Sequence, residues 1–186
     1  MLEDITNRKY VEEELMQRAV HDPLTGLPNR RLLEDRLANA LARLARRRNS
    51  GVAVVFLDLD GFKEVNDTLG HQGGAELLVA VGQRLLRALR LSDTLARIGG
   101  DEFVAMLEEV AAEDDARRVA DRLMGALSPP LPLGAREVCV TASAGISLAT
   151  DHRIRPELLI RHADAAMYTA KRNGRNRIEI AASDPA

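Results

Sequence analysis

Cysteine is almost missing from this chain of 186 residues: Cys139 is the only one. A single thiol excludes an intrachain disulfide and any cysteine-based metal cluster, and its place in an apolar run predicts a core thiol. Neither sign of charge dominates. With 26 Lys and Arg against 28 Asp and Glu the net charge is -2, so no global basic field points to nucleic acid or to a membrane surface. No apolar run approaches the length of a membrane span, and the N-terminus is charged from Glu3 onward, unlike a secretory signal. The expectation is a soluble, cytoplasmic domain whose segment here makes no membrane contact. Internal repeats and low-complexity tracts are also lacking. Hydrophobic residues make up 46% of the chain, enough to fill the core of one domain of this length.

The chemistry-bearing stretch is Arg97-Ile98-Gly99-Gly100-Asp101-Glu102-Phe103. Residues 95–98 and 103–107 read as short strands. Gly-Gly between them reads as a hairpin turn, because glycine tolerates the positive φ such turns use. Asp101 and Glu102 are thereby held at a turn with an open approach, although a plain charged hairpin tip fits the same letters. Upstream, residues 52–57 form a continuous apolar, β-branched run suited to a strand buried on both faces, and the run ends in Asp58-Leu59-Asp60. Side chains alternate along a strand, so Asp58 and Asp60 share a face and Leu59 takes the other. Carboxylates at the C-terminal end of a buried strand sit where open α/β sheets bind ligands, and crowding them is costly without a cation.

Helical periodicity recurs around these strands. Residues 21–30 contain two prolines and a glycine and read as a loop, with Asn29 capping a helix that turns Leu33, Leu37, Leu41 and Leu44 inward. The basic run Arg46-Arg47-Arg48 complements that helix's C-terminal dipole. A short helix and turn are predicted over residues 61–70, with Lys63 and Asn66 one helical turn apart, then a longer helix over 76–90. A third helix over 113–127 ends at Pro129, Pro130 and Pro132, and a fourth starts at Pro156 and ends at Asn173-Gly174. Residues 137–149 read as a strand in which Gly145 admits a close neighbour or a bulge, and 177–180 as a last strand. Residues 6–19 carry Val11, Leu15 and Ala19 four apart, a stripe for a coiled coil, a connector or a frayed terminal helix. Residues 181–186 form a tail without pattern. The fold class expected is α/β (α+β), helices packed on a mixed sheet.

Phe56-Leu57-Asp58-Leu59-Asp60-Gly61-Phe62-Lys63, Asn66-Asp67, Gly70-His71, Gly99-Gly100-Asp101-Glu102-Phe103 and Ala170-Lys171-Arg172-Asn173-Gly174-Arg175-Asn176 together resemble the GGDEF family of diguanylate cyclases. His21-Asp22-Pro23-Leu24-Thr25-Gly26-Leu27-Pro28-Asn29-Arg30 is similar to the loop that opens that domain. The resemblance covers roughly residues 20–180 and implies a sheet of about five strands related to nucleotide cyclases and polymerase palms. It implies condensation of two GTP into cyclic di-GMP and two pyrophosphates across a homodimer, with Mg²⁺ or Mn²⁺. On these matches Asp58, Asp101 and the Leu59 carbonyl are metal ligands, Asp101 is also the proton acceptor, and Glu102 supports the metals. Lys63 stabilises developing phosphate charge. Lys171 and Arg175 clamp the triphosphate, and the same pair, read without the family, complements a helix dipole beside a Gly174 cap.

Asn66 and His71 match guanine-side contacts. The family's Gly-Asp after that histidine is here Gly74-Ala75, so an acceptor for guanine N1 and N2 is missing and base selectivity is in question; Asp67 or Glu76 could substitute. Arg90-Leu91-Ser92-Asp93 resembles the family's inhibitory cyclic di-GMP site, Arg90 and Asp93 being the two matching letters; otherwise the pair is a surface ion pair. The first residues resemble the end of a PAS sensor domain, which divides the chain into a signalling helix (1–20), a catalytic domain (21–180) and a tail (181–186). Three readings stay open: an active cyclase, a non-catalytic module sensing GTP or cyclic di-GMP, and a cyclase of relaxed base choice.

Overall fold

A computed structural model describes residues 19–46, 50–134 and 136–182. Val11, Leu15, Arg47 and Arg48 lie outside the described residues. A five-stranded mixed sheet is built from β1 (Gly51–Asp60), β2 (Thr94–Gly99), β3 (Glu102–Val110), β6 (Thr141–Ala149) and β7 (Ile178–Ile180), in the order β2-β3-β1-β6-β7. β1 pairs antiparallel with β3 and β6, β2 antiparallel with β3, and β7 parallel with β6. Among the described residues four helices flank it: α1 (Arg30–Leu44), α2 (Phe62–Arg87), α3 (Glu113–Leu127) and α4 (Pro156–Arg172).

β1 divides the core. Ala53, Val55, Leu57 and Leu59 face the side covered by α2 and α3, with Leu77, Val81, Leu85, Ala116, Ala120 and Leu123 packed there. Val52, Val54 and Phe56 face the other side, against Leu33, Leu37 and Leu41 of α1 and Leu159, Ile160, Ala163 and Met167 of α4. Each fully buried leucine contributes ~1.5–3 kcal/mol, against ~0–1 kcal/mol for a surface ion pair, so these two layers hold the fold. The alternation continues to the strand's end, which leaves Asp58 and Asp60 on the α1 and α4 side.

Local signals account for the ends. Asn29 Oδ1 accepts from the Leu32 N–H at 3.2 Å, the N-cap of α1, and Pro156 stands at the start of α4. Gly145 carries α4: a Cβ there would lie 2.0 Å from the Ala163 carbonyl oxygen and 2.2 Å from the Met167 N. Helix backbone therefore sits directly on the sheet, the close neighbour that glycine allows.

Three expectations are corrected. The helices expected over 61–70 and 76–90 are one span broken by Gly70 (φ 74°, ψ 170°), and the second part begins at His71. The single strand expected over 137–149 is split. β5 (Arg136–Val138) pairs with β4 (Leu131–Leu133) in a separate two-stranded ribbon, where Pro132 is tolerated at an edge. Cys139 falls in the link between β5 and β6 and is exposed rather than a core thiol.

Candidate active site

The registers of β1 gather the site. Asp58 stands opposite Glu102 of β3 and opposite Ser143 of β6, and Asp60 opposite Thr141. Directly opposed residues share a face with Cβ atoms about 5 Å apart, so Glu102 joins Asp58 at close range. Gly99 pairs with Glu102, leaving Gly100 and Asp101 as the two-residue turn; Gly100 takes the positive φ, 40°. The Leu59 N–H donates to the Asp101 carbonyl at 3.3 Å, tying that turn to the end of β1. α4, seated on Gly145, brings Lys171 over the same edge, with Nζ 2.7 Å from Asp58 Oδ1.

Asp58 is only 6% exposed. The Lys171 ammonium pairs with its buried Oδ1, and beyond that ion pair Asp58 Oδ1 has no hydrogen-bond partner among the described residues. Burial pushes the Asp58 carboxyl above its ordinary value of 3.8; Lys171 opposes the shift, and Asp101 and Asp60 add to it. Glu102 is also raised above its ordinary 4.5, by burial first, then by Asp58, Asp164 and Asp101, with Arg30 opposing. The edge is short of positive charge.

A divalent cation fits this deficit. Among the described residues no three His, Cys, Asp or Glu side chains form a complete metal cage. A hard cation such as Mg²⁺ needs only one or two carboxylates, the rest of its shell being water and phosphate oxygen. Asp58, whose Oδ1 is met by Lys171, and Asp101 are carboxylates of that kind, and the Leu59 N–H is bonded to the Asp101 carbonyl.

The other residues singled out in the sequence surround this edge. Lys63 is exposed in the first turn of α2, directly after Asp60-Gly61. Arg175 is exposed just beyond α4, in left-handed backbone (φ 59°), with its N–H bonded to the Ala170 carbonyl at 3.1 Å. Asn66 folds onto the second half of α2, where a Cβ on Gly74 would come within 2.0 Å of its Oδ1. Ala75 is half-buried beside it, His71 is exposed one turn earlier, and Glu76 accepts from Gln72 Nε2 at 3.2 Å.

Arg90 and Asp93 lie elsewhere, at the start of β2 and thus at the far end of that strand from the hairpin, roughly 20 Å away for six residues. Asp93 Oδ2 accepts from the Arg90 N–H at 3.1 Å, a local turn rather than a side-chain ion pair. The two residues line a recess of about 250 Å³ with Glu108, Asp115, Arg118 and Arg122.

Sequence reading missed the residues that brace the edge. Arg97 Nη1 donates to both Asp22 oxygens at 2.9 and 2.8 Å, while Nε and Nη2 donate to the Gly100 carbonyl at 3.0 and 2.7 Å. One guanidinium thus joins the opening loop to the hairpin turn. Burial alone would raise Asp22, but hydrogen bonds from Thr25 and Arg97 outweigh it and hold the carboxyl below its ordinary 3.8. Within the loop the Thr25 N–H donates to Asp22 Oδ1 at 2.9 Å, a bond between residues three apart. Nothing local announced the partner 75 residues on.

A mixed sheet whose central strand ends in buried acid, faced by a glycine hairpin carrying two more, defines a palm-like nucleotide-cyclase class of α+β domain. The family model "Diguanylate cyclase, GGDEF domain" matches residues 19–177, and the chain belongs to the GGDEF family. The bifunctional diguanylate cyclase/cyclic di-GMP phosphodiesterase MucR of Pseudomonas aeruginosa is 47% identical over 92% of this chain and 25% of its own length. The diguanylate cyclase TpbB of the same species is 42% identical over 90% of this chain and 38% of its own. The cyclic di-GMP phosphodiesterase PdeR of Escherichia coli is 40% identical over 92% and 25%. The chain therefore spans a quarter to somewhat over a third of these relatives. Among solved structures, the GGDEF domain of TpbB matches with a TM-score of 0.80 and 39% identity over 86% of this chain and 99% of that one. The coiled coil and GGDEF domain of DgcB from Caulobacter crescentus, in complex with c-di-GMP, matches at 0.86 with 26% identity over 97% and 95%.

Proposed function

We propose that this chain is the catalytic domain of a diguanylate cyclase, joining two GTP into cyclic di-GMP with release of two pyrophosphates. The observation that carries the reading is the buried Asp58, set beside Glu102 and the Asp101 turn, with Lys171 paired to its Oδ1. In each half of the reaction a ribose 3′-oxygen bonds to the α-phosphorus of the other nucleotide, and the bond to the β-phosphate bridging oxygen breaks. Asp101 takes the hydroxyl proton. A bound Mg²⁺ (or Mn²⁺), held by Asp58, Asp101 and the Leu59 carbonyl with Glu102 in support, would neutralise phosphate charge and acidify that hydroxyl. Lys63 meets the charge that builds on the α-phosphate, at the N-terminus of α2 whose first N–H groups favour anions. Lys171 and Arg175 hold the outer phosphates, Lys171 exchanging its Asp58 partner for the nucleotide. Asn66 and His71 contact the base.

Each chain supplies one set of acids and cations, so two phosphodiester bonds call for a homodimer. Cytoplasmic GTP is the substrate. Arg90 and Asp93 begin the site at which cyclic di-GMP inhibits. A second reading, a regulatory module that binds GTP without turnover, draws support from Ala75, where a guanine acceptor is absent, and from relatives named phosphodiesterases. Incubation with Mg²⁺ and GTP, ATP or both, followed by separation of products, distinguishes the readings. Cyclic di-GMP is expected from the wild type and none from Asp101→Ala; substantial product from that variant would contradict the role of Asp101 as proton acceptor and metal ligand.

A further inference from the structure

Asp60 shares the acid-bearing edge but takes no part in the transfer itself. Its carboxylate is held from two directions. Thr141 Oγ1 donates to Oδ2 at 2.8 Å and Ser143 Oγ donates to Oδ1 at 2.7 Å, both from β6. From the other side, the Asn176 backbone N–H donates to Oδ2 at 3.1 Å. The two hydroxyls anchor the carboxylate to the sheet, and the third bond fastens the turn that follows α4 to that anchor.

The turn needs such a fastening. Gly174, Arg175 and Asn176 all have positive φ, at 110°, 59° and 45°. Only the first is a glycine. Left-handed backbone is disfavoured for residues with side chains and persists where the surroundings over-determine it. Arg175 is pinned on one side by its own N–H, bonded to the Ala170 carbonyl at 3.1 Å, and on the other by Asn176, bonded to Asp60. Its side chain therefore leaves a backbone fixed at both neighbouring peptides. Lys171, one turn back on α4, stands over Asp58. The acids of β1 thus address two consecutive parts of one cationic segment: Asp58 its lysine, Asp60 the backbone that aims its arginine.

We propose that Asp60 is a positioning residue for phosphate recognition: by holding the Asn176 peptide to β6 it sets where Arg175 meets the outer phosphates of the nucleotide. The proposal rests on the reading of Lys171 and Arg175 as the triphosphate clamp. A tie that served the fold alone would lower stability without changing which nucleotides bind. A positioning tie acts on the phosphate chain and leaves the base and ribose contacts alone.

The test is calorimetric binding, with Mg²⁺ present, of α,β-methylene-GTP, which resists transfer at the α-phosphate, and of GMP. Arg175→Ala sets the reference and should weaken the triphosphate while leaving GMP unchanged. Asp60→Ala should reproduce most of that selective loss, roughly tenfold for one misplaced charge-assisted contact. The double variant should be no weaker than Arg175→Ala alone, because removing the arginine leaves Asp60 nothing to position. Asp60→Asn, whose amide oxygen can still accept from Asn176, should keep the preference for triphosphate. Where Asp60→Ala does not fold, Asp60→Leu, of similar bulk but without an acceptor, carries the comparison. If Arg175→Ala loses triphosphate affinity and folded Asp60→Ala or Asp60→Leu does not, Asp60 is a structural tie and the inference is overturned with the clamp intact. If Arg175→Ala itself binds both nucleotides normally, the clamp reading fails and the inference falls with it.

Discussion

Asp58 is strained by its surroundings, and the strain has a measurable sign. Burial raises its carboxyl above 3.8, and Glu102 is raised above 4.5, so both bind a proton more readily in the folded chain than in the unfolded one. Without metal, these groups make stability rise as pH falls from neutrality, until the unfolded carboxylates themselves titrate near those ordinary values. Asp22 runs the other way: its depressed carboxyl contributes stability above 3.8 that is lost as pH falls through its folded value. Urea midpoints at pH 7 and pH 5, without divalent ions, should show wild type gaining on Asp58→Asn as the pH drops. Parallel curves would mean that Asp58 is under no such stress. At Ala75 the deficit is of another kind. A charged acceptor for guanine is worth ~1.5–3 kcal/mol, or about ten- to a hundredfold in affinity. Glu76 is occupied by Gln72 in this structure. Ala75→Asp should therefore bind GTP more tightly and discriminate better against ATP than the wild type does. Equal affinities and equal preference would deny Ala75 any part in base selection.

Among the elements, the β2–β3 hairpin depends on Arg97. Its guanidinium reaches the Asp22 carboxylate and the Gly100 carbonyl at once, a fork that a single ammonium cannot copy. Arg97→Lys should fold, lose ~1–2 kcal/mol, and show faster amide exchange at Gly100, Asp101 and Glu102 together with a lower turnover. Unchanged exchange at these amides would deny Arg97 its part in holding the turn. Elements of this scale were legible in the sequence where the signal is local. The apolar run into Asp58-Leu59-Asp60, the Gly-Gly turn, the Asn29 cap and the glycine in β6 each carry their reason within a few residues. The ribbon of β4 and β5 was hidden because three-residue strands have no period to detect and Pro132 argues against one. Cys139 misled because its apolar neighbours are split between Val138, which ends β5, and the buried Val140, which stands in the link before β6. The braces of the site, Arg97 to Asp22 and Asp60 to Thr141 and Asn176, join residues 75, 81 and 116 positions apart, a separation that only the folded chain closes.

At the scale of the whole molecule, the acid-bearing edge and the recess at Arg90 and Asp93 share one pair of strands. The acids occupy the hairpin end of β2 and β3, and the recess at Arg90 and Asp93 occupies the opposite end. On the proposed regulation, product in the recess would touch none of the reacting groups of its own chain, so its effect would pass through the strands or through the arrangement of two copies. Arg90→Ala should weaken cyclic di-GMP binding and relieve product inhibition while leaving the initial rate intact. A wild type that, stripped of nucleotide, fails to bind cyclic di-GMP at all would remove the recess from the regulation.

The seat of α4 on Gly145 makes that glycine a spacing gauge for the whole catalytic edge. Ordinary contact between a methyl carbon and backbone atoms is about 3.4 Å or more, and a Cβ at this position would find the helix at 2.0 and 2.2 Å. Gly145→Ala is thus a shim of more than an ångström slipped under the middle of a rigid rod. The rod's far end carries Lys171, so the ammonium is lifted away from Asp58 although no atom of the site has been altered. The expected signature is a folded protein with a lower melting temperature and a disproportionate loss of turnover, since misplacement of about 1 Å can cost two orders of magnitude in rate. A variant that melts earlier but binds and turns over normally would mean that the edge accepts a looser fit than this seat implies.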